Sequence, residues 1–257
     1  MHENGKYQMI IFGIILLLVA AGCWFAARAQ AERLRAIDAA DTFTAQMLLE
    51  LYNRVVPAVG GEALAQPCEV AGTIEADAPL TAPLSNSACV AYSYQVTREY
   101  EEDVTTTDEH GKTTTETQQR SETASNDERR VRFFVRDATG RVLIDPADAE
   151  LDLVDSGTRF DPAQQTSFTR TRTLGQRHRE QSLAIGTLVY ILGCVVDGQG
   201  QPMIARSPKD HRQKFIISRR SERELAASAA SAARNWYYGA GGAGALGLVL
   251  LVIGIVS

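Results

Sequence analysis

The sequence predicts an α+β protein: a β-rich membrane-side domain with a membrane-proximal N-terminal helix, flanked by two transmembrane helices. Three observations carry that prediction. Two uncharged apolar stretches occupy residues 7–27 (YQMIIFGIILLLVAAGCWFAA) and 236–257 (WYYGAGGAGALGLVLLVIGIVS). Apolar residues recur at helical spacing after the first stretch, and strand-type runs follow Pro67. A helix rises about 1.5 Å per residue, so roughly 20 apolar residues cross a hydrocarbon core about 30 Å thick. A charge at mid-membrane costs about 2.5–3.5 kcal/mol, and neither stretch holds one.

A short tail, residues 1–6, precedes the first span. Residues 28–60 read as one amphipathic helix, with Leu34, Ile37, Met47, Leu48, Leu51 and Val55 on its apolar face. Pro57 and Gly60-Gly61 end it. The β-rich domain is assigned to residues 66–220. Its first strand lies at Glu69–Glu75, and a longer one at Ala88–Tyr100 has Val90, Tyr92, Tyr94 and Val96 alternating on one face. Residues 103–128 hold almost no apolar side chain, so they are expected to form a mobile polar loop or an extended hairpin tip. Val131–Asp137 and Arg141–Asp145 flank a glycine-containing turn, the signature of a hairpin. Asp148–Val154 reads as a further strand, and 155–179 as polar and irregular.

Leu188–Val196 is continuously apolar, as a strand buried on both faces would be. Gln201–Ala205 and Lys214–Ser218 follow as strands. Ser221 with Glu224 makes a capping box that opens a pre-membrane helix over 221–235, continuous with the second span. Within that span Gly239, Ala243 and Gly247 share one helix face, a spacing that lets helices approach closely. They can pack against the first span of the same chain or against a second copy in a homodimer.

Three readings of the N-terminal stretch are open: an uncleaved anchor, which its length favours, a lipoprotein signal ending at Cys23, or a signal peptide cleaved near Ala29-Gln30-Ala31. Arginines 28, 33 and 35 follow the first span, and 219, 220, 223 and 234 precede the second. By the positive-inside rule the domain is cytoplasmic, on a two-pass protein of a bacterial-type plasma membrane. The net charge of −5 leaves no basic footprint for nucleic acid.

Four cysteines are present without a CxxC pair. Cys68 and Cys89 either bridge in an oxidising compartment or remain buried thiols. No catalytic, cofactor or metal set is assigned. Ser218, Ser221 and Ser228 lack a nucleophile-elbow context. His110, His178 and His211 sit in polar stretches and read as solvated. The acidic runs Glu99–Asp103 and Asp145–Asp148 read as solvated turns or strand ends rather than cation sites. Gly198-Gln199-Gly200 introduces no helix and so no phosphate loop.

Several short runs recur in a familiar order. Val70-Ala71-Gly72-Thr73-Ile74 is followed by Ala78-Pro79-Leu80 and by the aromatic run 88–101. Val142–Pro146 comes next, then Glu180 and Leu183 ahead of Gly186, then Val189–Val195. Phe215-Ile216-Ile217-Ser218 leads into the pre-membrane helix. Over roughly 69–254 this layout resembles the GIDE, or beside-a-membrane (BAM), domain of membrane-anchored RING-type ubiquitin ligases of mitochondria and chloroplasts. The stretch 103–128 matches least. The resemblance implies a membrane-side domain, placed in the intermembrane space in those relatives and so periplasmic by analogy. Their ligase activity belongs to a zinc-binding RING beyond the second span, whose paired-cysteine spacing this sequence lacks. The expectation is a non-catalytic binding module for a protein or for lipid headgroups; the alternatives are ubiquitin transfer by family association, or a hydrolase whose site the sequence does not display.

Overall fold

The computed structural model describes residues 2–38, 40–107, 111–164, 171–210 and 212–256. Its composition, 35% helix and 43% strand, is that of an α+β protein with a helix at each end and a β-rich middle. The chain divides into two units, residues 1–42 with 210–214 and 220–257, and residues 43–209 with 215–219.

The first unit is built on two long helices, α1 (His2–Asp38) and α3 (Glu222–Val256), with a two-residue strand β1 (Asp41–Thr42). Both helices are long and apolar enough to cross a membrane, over 7–37 and 222–255. Most of their large side chains, such as Phe12, Leu18, Leu248 and Ile255, are exposed. α1 runs through Arg28 without a break, so the apolar span and the first third of the expected amphipathic helix are one element.

α3 starts as predicted. The Ser221 backbone N–H donates to Glu224 at 2.9 Å, and the Glu224 N–H returns to the Ser221 hydroxyl at 3.4 Å. Small residues mark where α3 meets α1. A Cβ added to Gly247 would lie 3.0 Å from the Gly13 carbonyl and 3.1 Å from the Leu16 Cβ. One on Gly13 would lie 2.7 Å from Leu251, and one on Gly244 would lie 3.7 Å from Ala20. Gly247 is buried, Ala243 half-buried and Gly239 exposed.

The second unit opens with α2 (Ala45–Val59) and a single 3-10 turn (Gly61–Ala63). The sequence expectation of one helix over 28–60 is therefore corrected to two. The interruption has a physical cause: Thr44 adopts an extended backbone and its hydroxyl accepts from the Met47 N–H at 3.2 Å. Asp137 supplies a second cap, its carboxylate accepting from the Ala45 N–H at 2.7 Å and from Thr139 and Gly140 of its own turn. Burial would raise the Asp137 carboxyl pKa, but the donors of Thr139, Ala45 and Gly140 hold it below the usual carboxylate range. Asp137→Ala is expected to cost about 1–2 kcal/mol, as loss of a strong helix cap does. Urea unfolding followed by circular dichroism would measure it, and a loss below about 0.5 kcal/mol would reject the capping role.

A closed sheet follows. Strands β2 (Gln66–Glu75), β6 (Phe133–Arg136), β7 (Arg141–Ile144), β12 (Pro202–Ala205) and β11 (Leu188–Asp197) pair in that order. β11 then pairs β2, which closes the set into a small barrel. β12 and β7 run parallel, and the other neighbours in the ring are antiparallel. β13 (Ile216–Ser218) adds to β11, and β8 (Glu150–Leu151) adds to β13. Closure removes the edges a five-strand sheet would expose. Val70, Ile74, Phe133, Val135, Ile144, Ile191, Val195 and Ile204 fill the core, with Leu48 and Tyr52 of α2. Each such side chain contributes about 1.5–3 kcal/mol of burial. β11 is buried on both faces from Val189 to Val195, as its unbroken apolar run implied. Gly72 has a steric reason: a Cβ there would lie 2.3 Å from the Arg136 carbonyl of the adjoining strand.

Candidate functional site

A second sheet of the same unit carries most of the polar surface. Its order is β3 (Leu80–Thr81), β4 (Ala88–Thr107), β10 (Thr171–Ala184) and β9 (Val154–Pro162), with β5 (Thr113–Arg130) also paired to β4. The stretch 103–128, expected as a loop or hairpin tip, thus belongs to a long antiparallel hairpin whose described residues are strand up to Thr107 and from Thr113. Threonine explains why a run with almost no apolar content stays extended: β-branched side chains favour the pleated backbone. Hydroxyls also meet across the strands, Thr105 with Thr115 at 3.1 Å and Thr107 with Thr113 at 3.4 Å. The irregular segment expected over 155–179 is likewise corrected, since β9 and β10 occupy most of its described part.

Bulges aim the side chains. Val90 is the extra residue where β4 faces β10, between the pairs Leu183↔Ala91 and Ala184↔Cys89. Val90 therefore enters the barrel core, while Tyr92 joins Ala82 and Cys89 in a separate cluster with Leu80 and Tyr94. That separates side chains the sequence placed on one face. It also separates the two candidate bridging cysteines. Cys68 lies in the main core and Cys89 in the smaller cluster; both are buried free thiols, pushed up in pKa by burial. Cys194 is a third buried thiol, and Cys23 lies on α1.

Strand alternation on β10 corrects the reading of His178. Arg177 and Arg179 face solvent, and His178, Glu180 and Ser182 face inward. His178 Nδ1 lies 2.7 Å from the Tyr94 hydroxyl, with the two rings stacked at 6.0 Å. Its Nε2 is buried without a hydrogen bond of good geometry, although the Asp161 carboxylate is 3.2 Å away. Two positions on, Glu180 is fully buried. Its carboxylate accepts from the Leu84 N–H (2.5 Å), the Ser85 hydroxyl (2.6 Å) and the Ser156 hydroxyl (2.8 Å), with the Ser85 N–H at 3.3 Å. Ser156 is the bulged residue of β9, so the irregularity delivers the hydroxyl. Burial favours the protonated acid, but the donors from Ser85, Leu84 and Ser156 outweigh it and hold Glu180 below its ordinary pKa. The polar stretch to Arg179 concealed His178, and Glu180 entered only through the family resemblance; the alternation Arg-His-Arg-Glu was the available signal for their burial.

The exposed face is a ladder of opposite charges. Arg98 pairs Glu122 at 2.9 Å, Arg120 pairs Glu102 at 3.0 Å, and Arg177 pairs Glu99 at 2.6 Å. Arg172 reaches Glu101 at 3.7 Å, and Arg179 reaches Asp155 at 3.0 Å. Such exposed pairs contribute about 0–1 kcal/mol each and mainly set the local potential. The acidic run Glu99–Asp103 is therefore strand, largely neutralised by β10 and β5, rather than a solvated strand end.

The remaining candidates serve the fold. The Ser218 hydroxyl donates to Asp152 at 3.0 Å, Ser221 caps α3, and Ser228 donates to the Leu225 carbonyl. In the 198–200 turn the Gly200 N–H is held by Asp197. Asp145 pairs Arg132 at 2.8 Å. A cleft of about 400 Å³ is lined by Gly61, Glu62, Leu64, Val196, Asp197 and Arg206. Its Asp197 already accepts from the Tyr52 hydroxyl at 2.8 Å. Among the described residues no three His, Cys, Asp or Glu side chains are grouped to hold a metal. His110 and His211 lie outside the described residues.

No curated protein and no solved structure matches this chain. A family model described as GIDE, E3 ubiquitin ligase, matches residues 101–253. The match begins inside β4 and takes in β5 to β13 and nearly all of α3; Val70–Ile74 and the first thirteen residues of β4 lie outside it. That is more than half of the chain, and with two helices apolar enough to span a bilayer the fit is to a membrane protein carrying this domain. The chain belongs to the GIDE family.

Proposed function

We propose that this chain is a two-pass membrane protein whose β-rich unit is a non-catalytic docking module for a protein partner at the bilayer. The observation that carries the reading is the division of labour among polar side chains. The buried Glu180 and Ser218, the half-buried Asp137 and the exposed Asp197 are all engaged in holding the fold, while the β4–β5 hairpin places a long polar surface in solvent. A protein partner fits that surface better than anionic lipid headgroups do. From Ala88 to Arg130 there are ten acidic against five basic side chains, which repels a negative leaflet. Arginines 28, 33, 35, 219, 220, 223 and 234 beside the spans favour a cytoplasmic domain under the positive-inside rule.

A photo-crosslinking residue at Gln118 of the full chain in native membranes is expected to capture one reproducible protein from the cytoplasmic side. Recovery of only the random membrane background would reject the reading, and an alkaline phosphatase fusion active at Gly111 would reject the orientation. A second reading, ubiquitin transfer, is favoured by the family description. The purified chain is expected to transfer no ubiquitin with activating and conjugating enzymes supplied, and transfer above the no-ligase control would replace the docking proposal.

A further inference from the structure

We infer that the outer edge of β5 takes up an extended, cationic segment of the partner by strand addition; this rests on the docking reading above. β5 is eighteen residues long and pairs only β4. Among the described residues no strand lies on its other edge. Seventeen of its eighteen residues are exposed. Natural sheets blunt such edges with shortness, proline, lysine or a covering loop. Within Thr113–Arg130 there is no proline, glycine or lysine. Ala124 is an unpaired extra residue between Thr123 and Ser125, so the single bulge falls past Thr123. From Thr113 to Thr123 the register against Thr97–Thr107 is unbroken. That run offers a regular row of backbone donors and acceptors, already held straight by its partner strand and its threonine contacts. An incoming strand therefore carries the ordering cost alone.

Charge selects the occupant. Between Glu99 and Glu122 the sequence holds eight carboxylates and two cations, Lys112 and Arg120. Arg172 and Arg177 answer Glu101 and Glu99 from β10, on the far side of β4 from the free edge. Arg98 answers Glu122 and Arg120 answers Glu102. Glu116, on β5 itself, has no ion-pair partner among the described residues and is exposed. A segment with arginine or lysine at alternate positions would place cations beside Glu116 and Glu122 while its backbone completes the ladder. A second copy of this chain is a poorer occupant, because pairing would bring two acidic hairpins together.

The test uses the full chain in nanodiscs of neutral lipid and a synthetic peptide of alternating threonine and arginine. Controls are a threonine–glutamate peptide of equal length and an arginine peptide interrupted by prolines. The arginine peptide is expected to slow amide exchange across Thr113–Thr123 and to bind roughly tenfold tighter than either control. Glu116→Lys with Glu122→Lys is expected to weaken it by roughly tenfold, with an unchanged circular dichroism spectrum. Unchanged exchange at Thr113–Thr123 overturns the inference, as does equal binding of the proline-interrupted peptide, which would mean charge attraction without a strand. Self-association that protects the same amides without peptide also overturns it, in favour of a second copy. A partner captured at Gln118 that leaves β5 exchange unchanged would sink the strand addition and spare the docking module. Peptide protection with no captured partner would do the reverse.

Discussion

Glu180→Ala is expected to remove about 3–4 kcal/mol of stability from the β-rich unit. The substitution leaves the Leu84 and Ser85 N–H groups and the hydroxyls of Ser85 and Ser156 aimed at an empty space. Each buried donor stripped of its acceptor costs about 1–3 kcal/mol, and part is recovered if water enters. Those donors belong to β9 and to the turn after β3, so a single carboxylate ties two segments to β10. Urea unfolding of the full chain in detergent, followed by the strand signal in circular dichroism, measures the loss. A change under about 1 kcal/mol would show that the donors find other partners. Glu180→Gln keeps the shape but turns its amide NH2 toward donors, so an intermediate loss is expected.

The same group predicts an acid response with a defined sign. The folded Glu180 pKa lies below the ordinary value, so its contribution is complete above the unfolded pKa of about 4.3 and is lost as pH falls through the folded value. The stability gap between wild type and Glu180→Ala should therefore be constant near neutrality and narrow below about pH 4. A gap that widens in acid would contradict the assignment of the ionised form.

Gly239→Cys is expected to form a disulfide with Cys23 inside one chain under mild oxidation. A Cβ at position 239 would lie 3.8 Å from the Cys23 sulfur, so a sulfur carried on it can reach the Cys23 sulfur by rotation of the two side chains. Adding Gly247→Leu should reduce the crosslink roughly tenfold, because a side chain there meets the Gly13 carbonyl at 3.0 Å and pushes the helices apart. Non-reducing gels separate the outcomes. A crosslinked dimer would assign the Gly239, Ala243 and Gly247 face to homodimer contact, and no crosslink would place α1 and α3 apart.

What could be read from residues alone follows from short-range physics. The apolar lengths, the Ser221–Glu224 cap and the two-sided burial within Leu188–Val196, which holds over Val189–Val195, are properties of neighbouring residues that the structure bears out. The division at Thr44 was missed because its second acceptor, Asp137, comes from ninety-two residues away. The burial of His178 and Glu180 was missed for a similar reason: two flanking arginines dominate the local composition, and only pairing with β4 and β9 turns alternate residues inward. For Cys68 and Cys89 the residues alone leave a bridge and two buried thiols open; their places in two different core clusters give the thiols.

The sequence by itself determined that two membrane-length helices enclose a β-rich stretch, because helix length and hydrophobic period are written in consecutive residues. Only the tertiary structure decided that β2 and β11 close a barrel, that the polar stretch is a ribbon with one free edge, and that Glu180 is the buried knot of the second sheet. The physical reason is that strand pairing joins residues far apart in the chain. No local window contains the partner that makes a polar side chain an interior one or leaves a backbone edge without a neighbour.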